Sequence, residues 1–483
     1  MSIQSVDSFV GGSWLGRSVV VNPIHCSLST DTGLLLFGQF DEKLEWTAQF
    51  ASLISDSRIE PKHSALSMVR QRVFGIIAGY EDQNDHDTLK SDSIFKLLAN
   101  RTPSDHDLAS QPTLSRFENS VKPADLLRME KWFLAKFVES IRVDQKLITL
   151  DIDTFADEAH GLQQLTLWHD YYKQNQYQVR LITCAENDMI VMPVLLYGSA
   201  CAKLGAAEDL KRVIEAILTV HPNISIRVRA DSGFGGQDVY STLESFEKVE
   251  YTIGTKVNSK TKNLSEKLLQ DTVLAQQASG NDELRYMSIC DYTCKYWKGA
   301  KRALVIKCEV TAHSTSRRVV ISNRSDVTSN PELVYRDYAQ RGESENRNKE
   351  FTCGLLGDRL SDHRYMANLF RVMMHSVAHN LLVTLRREVS VPVPEFATSP
   401  ATLAPNSSFK ETKADRKKHN DRRRRDPLGE GHPCTWRIHV IKVASRIQVS
   451  ARRVVLELSA SWPHLEHFLQ VVEAIARFRP RLT

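Results

Sequence analysis

The sequence predicts a mixed α/β protein, one β-sheet with helices on its faces. Two observations carry that expectation. First, Leu147-Ile-Thr-Leu-Asp-Ile-Asp153 is a nearly continuous apolar run of strand length that ends in acid. Two more strand-like runs follow, Tyr177–Cys184 and Met189–Tyr197, around an Asn187-Asp188 turn that favours a hairpin. Second, helices and strands then alternate. Ala206–Val220 carries Leu210, Val213, Ile214 and Ile217 at helical spacing, and Pro222 and Asn223 end it. Ile224–Arg229 alternates apolar and polar residues as a half-buried strand does, and Asp231 follows directly. A helix over about Val239–Glu247 leads to the strand Val249–Gly254.

The order is strand-strand-strand-helix-strand-helix-strand, with acids at the ends of the first and fourth strands. It matches the ribonuclease-H-like fold, a mixed sheet covered by helices. The helix that completes this fold is delayed by residues 255–330, whose strands Ala303–Val310 and Arg317–Ser322 mark a β-rich insertion. Asn330-Pro331 then starts a helix with a capping residue and Pro in its first turn, running to about Phe351. A second long helix, Ser361–Arg387, has a wide apolar face.

Around this core, 1–145 reads as a helical N-terminal region for DNA binding or dimerisation, with helices at Ala65–Ala78 and Pro123–Ile141. The catalytic core is predicted over 146–254 and 331–391, a basic linker over 392–433, and a small C-terminal module over 434–483. In the N-terminal region, Thr113-Leu-Ser-Arg116 resembles the start of a helix-turn-helix recognition helix, which makes Arg116 a candidate DNA contact. An ordinary capped helix fits the same residues.

A chain of 483 residues exceeds one ordinary core. The longest apolar run, Met189–Tyr197, is far too short to cross a bilayer, and the N-terminus has no apolar leader. A cytoplasmic protein with no membrane partner is expected. Cys290, Cys294 and Cys308 lack zinc-site spacing and read as ordinary thiols. The net charge of +5 is unevenly spread. Lys410–Arg425 holds nine Lys/Arg and three Asp/Glu, so the rest of the chain is near −1. Such a cluster, with Arg422, Arg423, Arg424 and Arg425 at its end, attracts polyanions, and a solvated linker is the alternative.

Asp153, Asp231 and Glu345 sit where the predicted fold gathers acids. Carboxylate oxygens suit Mg²⁺ or Mn²⁺, and a pair of such ions holds both the attacking and the leaving oxygen of a phosphoryl displacement. Asp151 lies on the same strand face as Asp153, so either could be the first acid. Asp153 is favoured by its place at the strand end, and Asp157 is a more distant candidate. Tyr338, Arg341 and Glu345 fall at i, i+3 and i+7, on one helix face. Arg grips phosphate and Tyr donates a hydrogen bond, so the face reads as a phosphate-positioning surface. A salt-bridged solvent face is the plain alternative, since Arg347, Lys349 and Glu350 crowd the same helix.

These segments resemble the DDE group 1 transposases of bacterial insertion sequences, and within them the IS thirteen-eighty family. The matching stretches are Gly79–His86, Ser110–Asn119, Leu150–Asp153 followed by His160-Gly161, Arg229–Phe234 and Gln340–Asn346. The resemblance implies catalytic, metal-binding Asp153, Asp231 and Glu345, with Tyr338 and Arg341 as DNA-contacting helpers. It implies Mg²⁺ or Mn²⁺ as cofactor, double-stranded terminal repeats and target DNA as partners, and a homodimer in the paired-end complex. The superfamily places a Lys seven residues after the Glu; here that residue is Thr352, and Lys349 is the candidate substitute. The β-insertion is expected to add DNA contacts, with Trp297 stacking on a displaced base or, alternatively, buried in a core. An inactive DNA-binding derivative acting as a repressor or inhibitor is the competing function.

Overall fold

A computed structural model describes residues 9–22, 26–391, 421 and 424–480. At its centre lies a nine-stranded mixed sheet. Fourteen strands are described, in chain order β1 (Phe9–Trp14), β2 (Arg17–Val21), β3 (Leu28–Ser29), β4 (Leu147–Glu158), β5 (Leu167–His169), β6 (Gln174–Cys184), β7 (Ile190–Leu196), β8 (Ser225–Ala230), β9 (Val249–Thr255), β10 (Glu283–Tyr292), β11 (Arg302–Val310), β12 (Thr315–Ser322), β13 (Ser445–Val449) and β14 (Val454–Leu458). The central order is β10-β11-β12-β9-β8-β4-β6-β5, and β7 also pairs with β6. β4 runs parallel to β8 and β8 to β9, whereas β6 lies antiparallel to both β4 and β7.

The hairpin between β6 and β7 forms as expected. Asp188 takes a positive φ of 59°, and the Met189 N–H donates to Asn187 Oδ1 at 3.1 Å, closing the turn with the Asn side chain. The Ala206–Val220 helix buries Leu210, Val213, Ile214 and Ile217 completely, the stripe that its spacing predicts. The Tyr365–Val389 helix crosses β7 on one side and the Ala65–Ala78 helix on the other. It ties the sheet to the N-terminal helices.

Four features differ from the sequence expectation. β4 does not stop at Asp153 but continues to Glu158, because β6 goes on pairing with it after β8 has ended. Residues 255–330 are not a separate insert in sheet terms. β12 pairs with β9 from Val319↔Thr255 to Ser322↔Thr252, so β10–β12 widen the central sheet. The helix expected from Asn330 to Phe351 is broken into Pro331–Ala339 and Gly342–Lys349, followed by a π-turn at Glu350–Gly354. At the break the Arg341, Glu343 and Ser344 N–H groups donate to carbonyls three residues back, and Gly342 disfavours a regular helix there. Finally, the C-terminal residues pack on the N-terminal ones. β13 pairs with β3, Trp436 packs edge-on to Phe37, and Arg437 donates to the carbonyls of Ile76 and Ile77. An exposed β1–β2 hairpin precedes the N-terminal helices.

Candidate active site

Strand register brings the first two acids together. The parallel β4–β8 ladder ends at Ile152↔Ala230, so Asp153 and Asp231 are the next residues on neighbouring strands. β8 stops there, and Asp231 caps a short 3₁₀ turn at Ser232–Phe234, its Oδ1 accepting from the Gly233 N–H at 2.9 Å. On β9, Gly254 lets the third element approach: a Cβ there would stand 2.6 Å from the Tyr338 hydroxyl. Tyr338 in turn packs against Tyr335, whose ring is held in a buried cluster with Val305 and Val320.

The broken helix aims its residues at this corner. The Arg341 guanidinium lies 3.6 Å from Asp153 Oδ2 and 3.7 Å from Glu345 Oε1, and 6.0 Å from the centre of the Tyr338 ring. Asn348 Nδ2 donates to Asp153 Oδ2 at 3.1 Å, and the Thr154 N–H donates to Oδ1 at 2.9 Å. Burial pushes the Asp153 carboxyl up to about 6, and the Asp231 and Glu345 carboxylates push the same way against the opposing pull of Arg341. Burial also raises the Tyr338 hydroxyl, which Arg341 counteracts. Among the described residues, only three histidines far along the chain bring three ligand atoms within 4.8 Å of one another, so the three carboxylates stand further apart than that. The Glu345 side chain, 59% exposed, is free to turn. Hard oxygen donors with a surplus of negative charge suit a divalent cation, and a single guanidinium now lies between two of them.

Asp151 is engaged elsewhere. It is fully buried, with Arg229 Nε and Nη2 at 2.7 and 2.8 Å and Arg347 Nη1 at 3.0 Å. Arg347 also holds Asp188 at 2.7 Å, and Arg386 links Asp188 at 3.3 Å to Glu350 at 2.7 Å. As the alternative first acid Asp151 is therefore corrected: both its oxygens are taken by guanidinium groups beneath the site. Asp157 is buried further along β4, where it accepts from the Leu360 N–H at 3.3 Å, and burial pushes its carboxyl up to about 8.

Trp297 is also corrected as a base-stacking residue. It is only 7% exposed, with the Tyr240 and Tyr292 rings at 5.8 and 5.6 Å and the Arg302 guanidinium over its face at 4.9 Å. Arg116 is exposed on the Gln111–Ser120 helix, whose other face buries Leu114, Phe117 and Glu118 as an ordinary packed helix does. Lys349 is exposed, while the Thr352 hydroxyl donates to the Asn348 carbonyl within its own turn. Arg422 and Arg423 lie outside the described residues. Arg424 is exposed 4.0 Å from Asp421, and Arg425 donates to the Asp421 carbonyl. Cys308 is buried while Cys290 is exposed, and no described cysteine joins a metal-ligand cluster.

Several site neighbours escape sequence reasoning. Asn348 sits about one turn beyond Glu345, and its bond to Asp153 depends on where the broken helix is aimed, which spacing does not give. β5 carries Trp168, and the turn after it carries Tyr171 and Tyr172, with Tyr171 82% exposed. Burial raises the Tyr172 hydroxyl, and Tyr171, Asp153 and Asp231 add to the rise. The run Trp168-His-Asp-Tyr-Tyr172 was the available signal.

A mixed α/β sheet that sets Asp153, within β4, beside Asp231, just past the end of the parallel β8, and faces both with an Arg- and Glu-bearing helix fits a class of enzymes that act on phosphodiesters. A family model described as transposase DDE domain group 1 matches residues 13–403, and the chain belongs to that family. It is a transposase, an enzyme acting on DNA. A cryo-EM structure of a piggyBac transposase synaptic complex with hairpin DNA is similar over 74% of each chain, at 12% identity and a TM-score of 0.40. At that distance the likeness carries nothing about the site. No curated protein matches the chain. Among the described residues, no helix is long and apolar enough to cross a membrane.

Proposed function

We propose that this transposase binds the terminal inverted repeats of an insertion sequence, cuts the DNA ends and joins them to target DNA, at a centre made of Asp153, Asp231 and Glu345 on a ribonuclease-H-like core. The observation that carries this is the strand register that sets Asp153 beside Asp231, with Arg341 3.6 Å from Asp153 and 3.7 Å from Glu345, where burial raises the Asp153 carboxyl. A carboxylate placed at such cost beside two others is a cation ligand in waiting. The β7-β6-β4-β8-β9 order supports the core assignment. Asp153, Asp231 and Glu345 would hold Mg²⁺ or Mn²⁺, which when bound supplies charge neutralisation to the scissile phosphate and acidifies the attacking hydroxyl.

The chain's own groups do the rest. Arg341, 3.6 Å from Asp153 and 3.7 Å from Glu345, would offer its guanidinium fork to the phosphate beside the scissile bond. Tyr338 donates its hydroxyl to the same backbone. Asn348 keeps Asp153 Oδ2 aimed at the site. Trp168 on β5 and Tyr171 and Tyr172 in the turn after it would offer exposed rings to an unpaired base next to the cut, the role that buried Trp297 cannot fill. Two copies, one per DNA end, form the synaptic complex.

Asp231→Asn tests the centre. It should lower Mg²⁺-dependent cleavage of end-bearing DNA by about 10³-fold or more, equivalent to about 4 kcal/mol of barrier, with end binding near wild type. Near-normal cleavage removes Asp231 from the site, and equal affinity for repeat and random DNA removes end recognition.

A further inference from the structure

We propose that His439, His464 and His467 form a site for one first-row transition-metal ion, zinc foremost, which fastens the C-terminal helix to the turn before β13. One ring nitrogen from each lies within 4.8 Å of the other two. His439 rises from the π-turn Arg437–Ile441, which the Lys442 N–H closes on the Arg437 carbonyl at 2.7 Å. Such turns are short, unusual and often functional. His464 caps the Leu465–Arg477 helix, and His467 lies one turn on, three residues away, so both side chains reach the same side.

The His439 ring lies nearly parallel to the other two, with centroids 4.1 Å from His464 and 4.9 Å from His467. His439 Nδ1 and His467 Nδ1 are buried without a hydrogen-bond partner. Buried lone pairs or N–H groups left unmatched are costly, and a cation shared among them removes the deficit. Burial and the neighbouring His464 lower the proton affinity of both rings, which favours the neutral, metal-binding form. Trp462 stands edge-on to His464 at 6.0 Å and Phe468 packs behind it, giving the site an apolar wall.

Zinc–nitrogen bonds of about 2.0–2.1 Å put tetrahedral ligands about 3.4 Å apart, so on binding the stacked rings turn out of parallel about their side-chain bonds to aim three in-plane lone pairs at one ion. The fourth position falls to water. Neutral imidazoles select zinc, nickel or copper over magnesium, which separates this site from the carboxylate centre. The consequence is mechanical: the helix so fastened packs on the Leu34–Leu44 and Tyr365–Val389 helices, joining the two ends of the chain.

The test uses the full chain in excess Mg²⁺, titrated with Zn²⁺ and with Co²⁺ as a spectroscopic probe. One equivalent should bind, with the visible bands of a nitrogen-ligated Co²⁺ ion, and Zn²⁺ should raise the unfolding temperature. His467→Gln and His464→Gln should each lose the bands, while Asp231→Asn keeps them. Circular dichroism of the metal-free variants separates lost ligation from lost folding, and His464, at the helix start, is the variant best able to fold. No binding by folded wild type shows that the three imidazoles merely stack. Bands kept by the Gln variants, or lost in Asp231→Asn, equally overturn the site.

Discussion

Asp151 and Asp153 lie two residues apart on one face of one strand, yet they occupy opposite electrostatic situations. Asp151 is enclosed by Arg229 and Arg347 and joins a chain of ion pairs running through the part-exposed Asp188 and through Arg386 to buried Glu350. Asp153, with 16% of its side chain exposed, has Arg341 only at 3.6 Å and feels two further acids. One carboxylate is satisfied by the protein; the other is left short of positive charge. The difference teaches how a rigid base and a cation-seeking centre are built from the same residue type. The network below fixes the Gly342–Lys349 helix against β4, and the acids above are held together despite their repulsion.

The comparison breaks most sharply at Asp151. Asp151→Asn leaves two buried guanidinium groups undercompensated and should cost about 3–5 kcal/mol of stability in urea unfolding. A loss under about 1 kcal/mol would show that the network is not holding the site's base.

Asp153→Asn should act in the opposite sense. The folded carboxyl titrates near 6, above the ordinary 3.8, so the folded state keeps a proton that the unfolded chain releases. The stability tied to the neutral carboxyl is complete below about pH 4 and is lost as pH rises through 6. Metal-free Asp153→Asn should therefore exceed wild type by up to roughly 3 kcal/mol near neutral pH and match it in acid. Added Mg²⁺ should narrow the gap by stabilising only wild type. Equal stability at both pH extremes would contradict the charge surplus.

A second contrast, between buried Trp297 and the exposed turn after β5, predicts a smaller effect. Tyr172→Ala should leave stability nearly unchanged and weaken binding of DNA with an unpaired end by about 1–3 kcal/mol, read by fluorescence anisotropy. Weakening of fully paired DNA by the same amount would argue against stacking. Smallest is Arg341→Lys, which keeps the charge but loses the planar fork. Strand transfer should fall about tenfold, or roughly 1.4 kcal/mol of barrier, with unfolding unaffected. A stably folded Lys variant with normal transfer would leave Arg341 only its structural pairing with Asp153 and Glu345.

Much of the core was legible because local periodicity is enough to reveal it. The Ala206–Val220 helix has the predicted bounds, β8 and β9 fall within a residue of their predicted ones, and Asp231 directly follows β8 as read, whereas Asp153 lies inside β4 and not at its end. Less was legible where pairing partners decide. β10, half-exposed along its length, lacks an apolar signature and was missed. The width of the sheet beyond β9 depends on β12 docking there, which no local pattern encodes.

By itself the sequence determined the strand and helix order, the acids Asp153, Asp231 and Glu345 as candidates, and the family resemblance, since each rests on residues close together or on spacing along one element. The tertiary structure decided that Asp151 is consumed by guanidinium groups while Asp153 is not, that Trp297 is core, and that His439 meets His464 and His467. Those outcomes depend on charges and rings brought from distant segments, where a carboxylate's state follows from the guanidinium beside it rather than from its place in the chain.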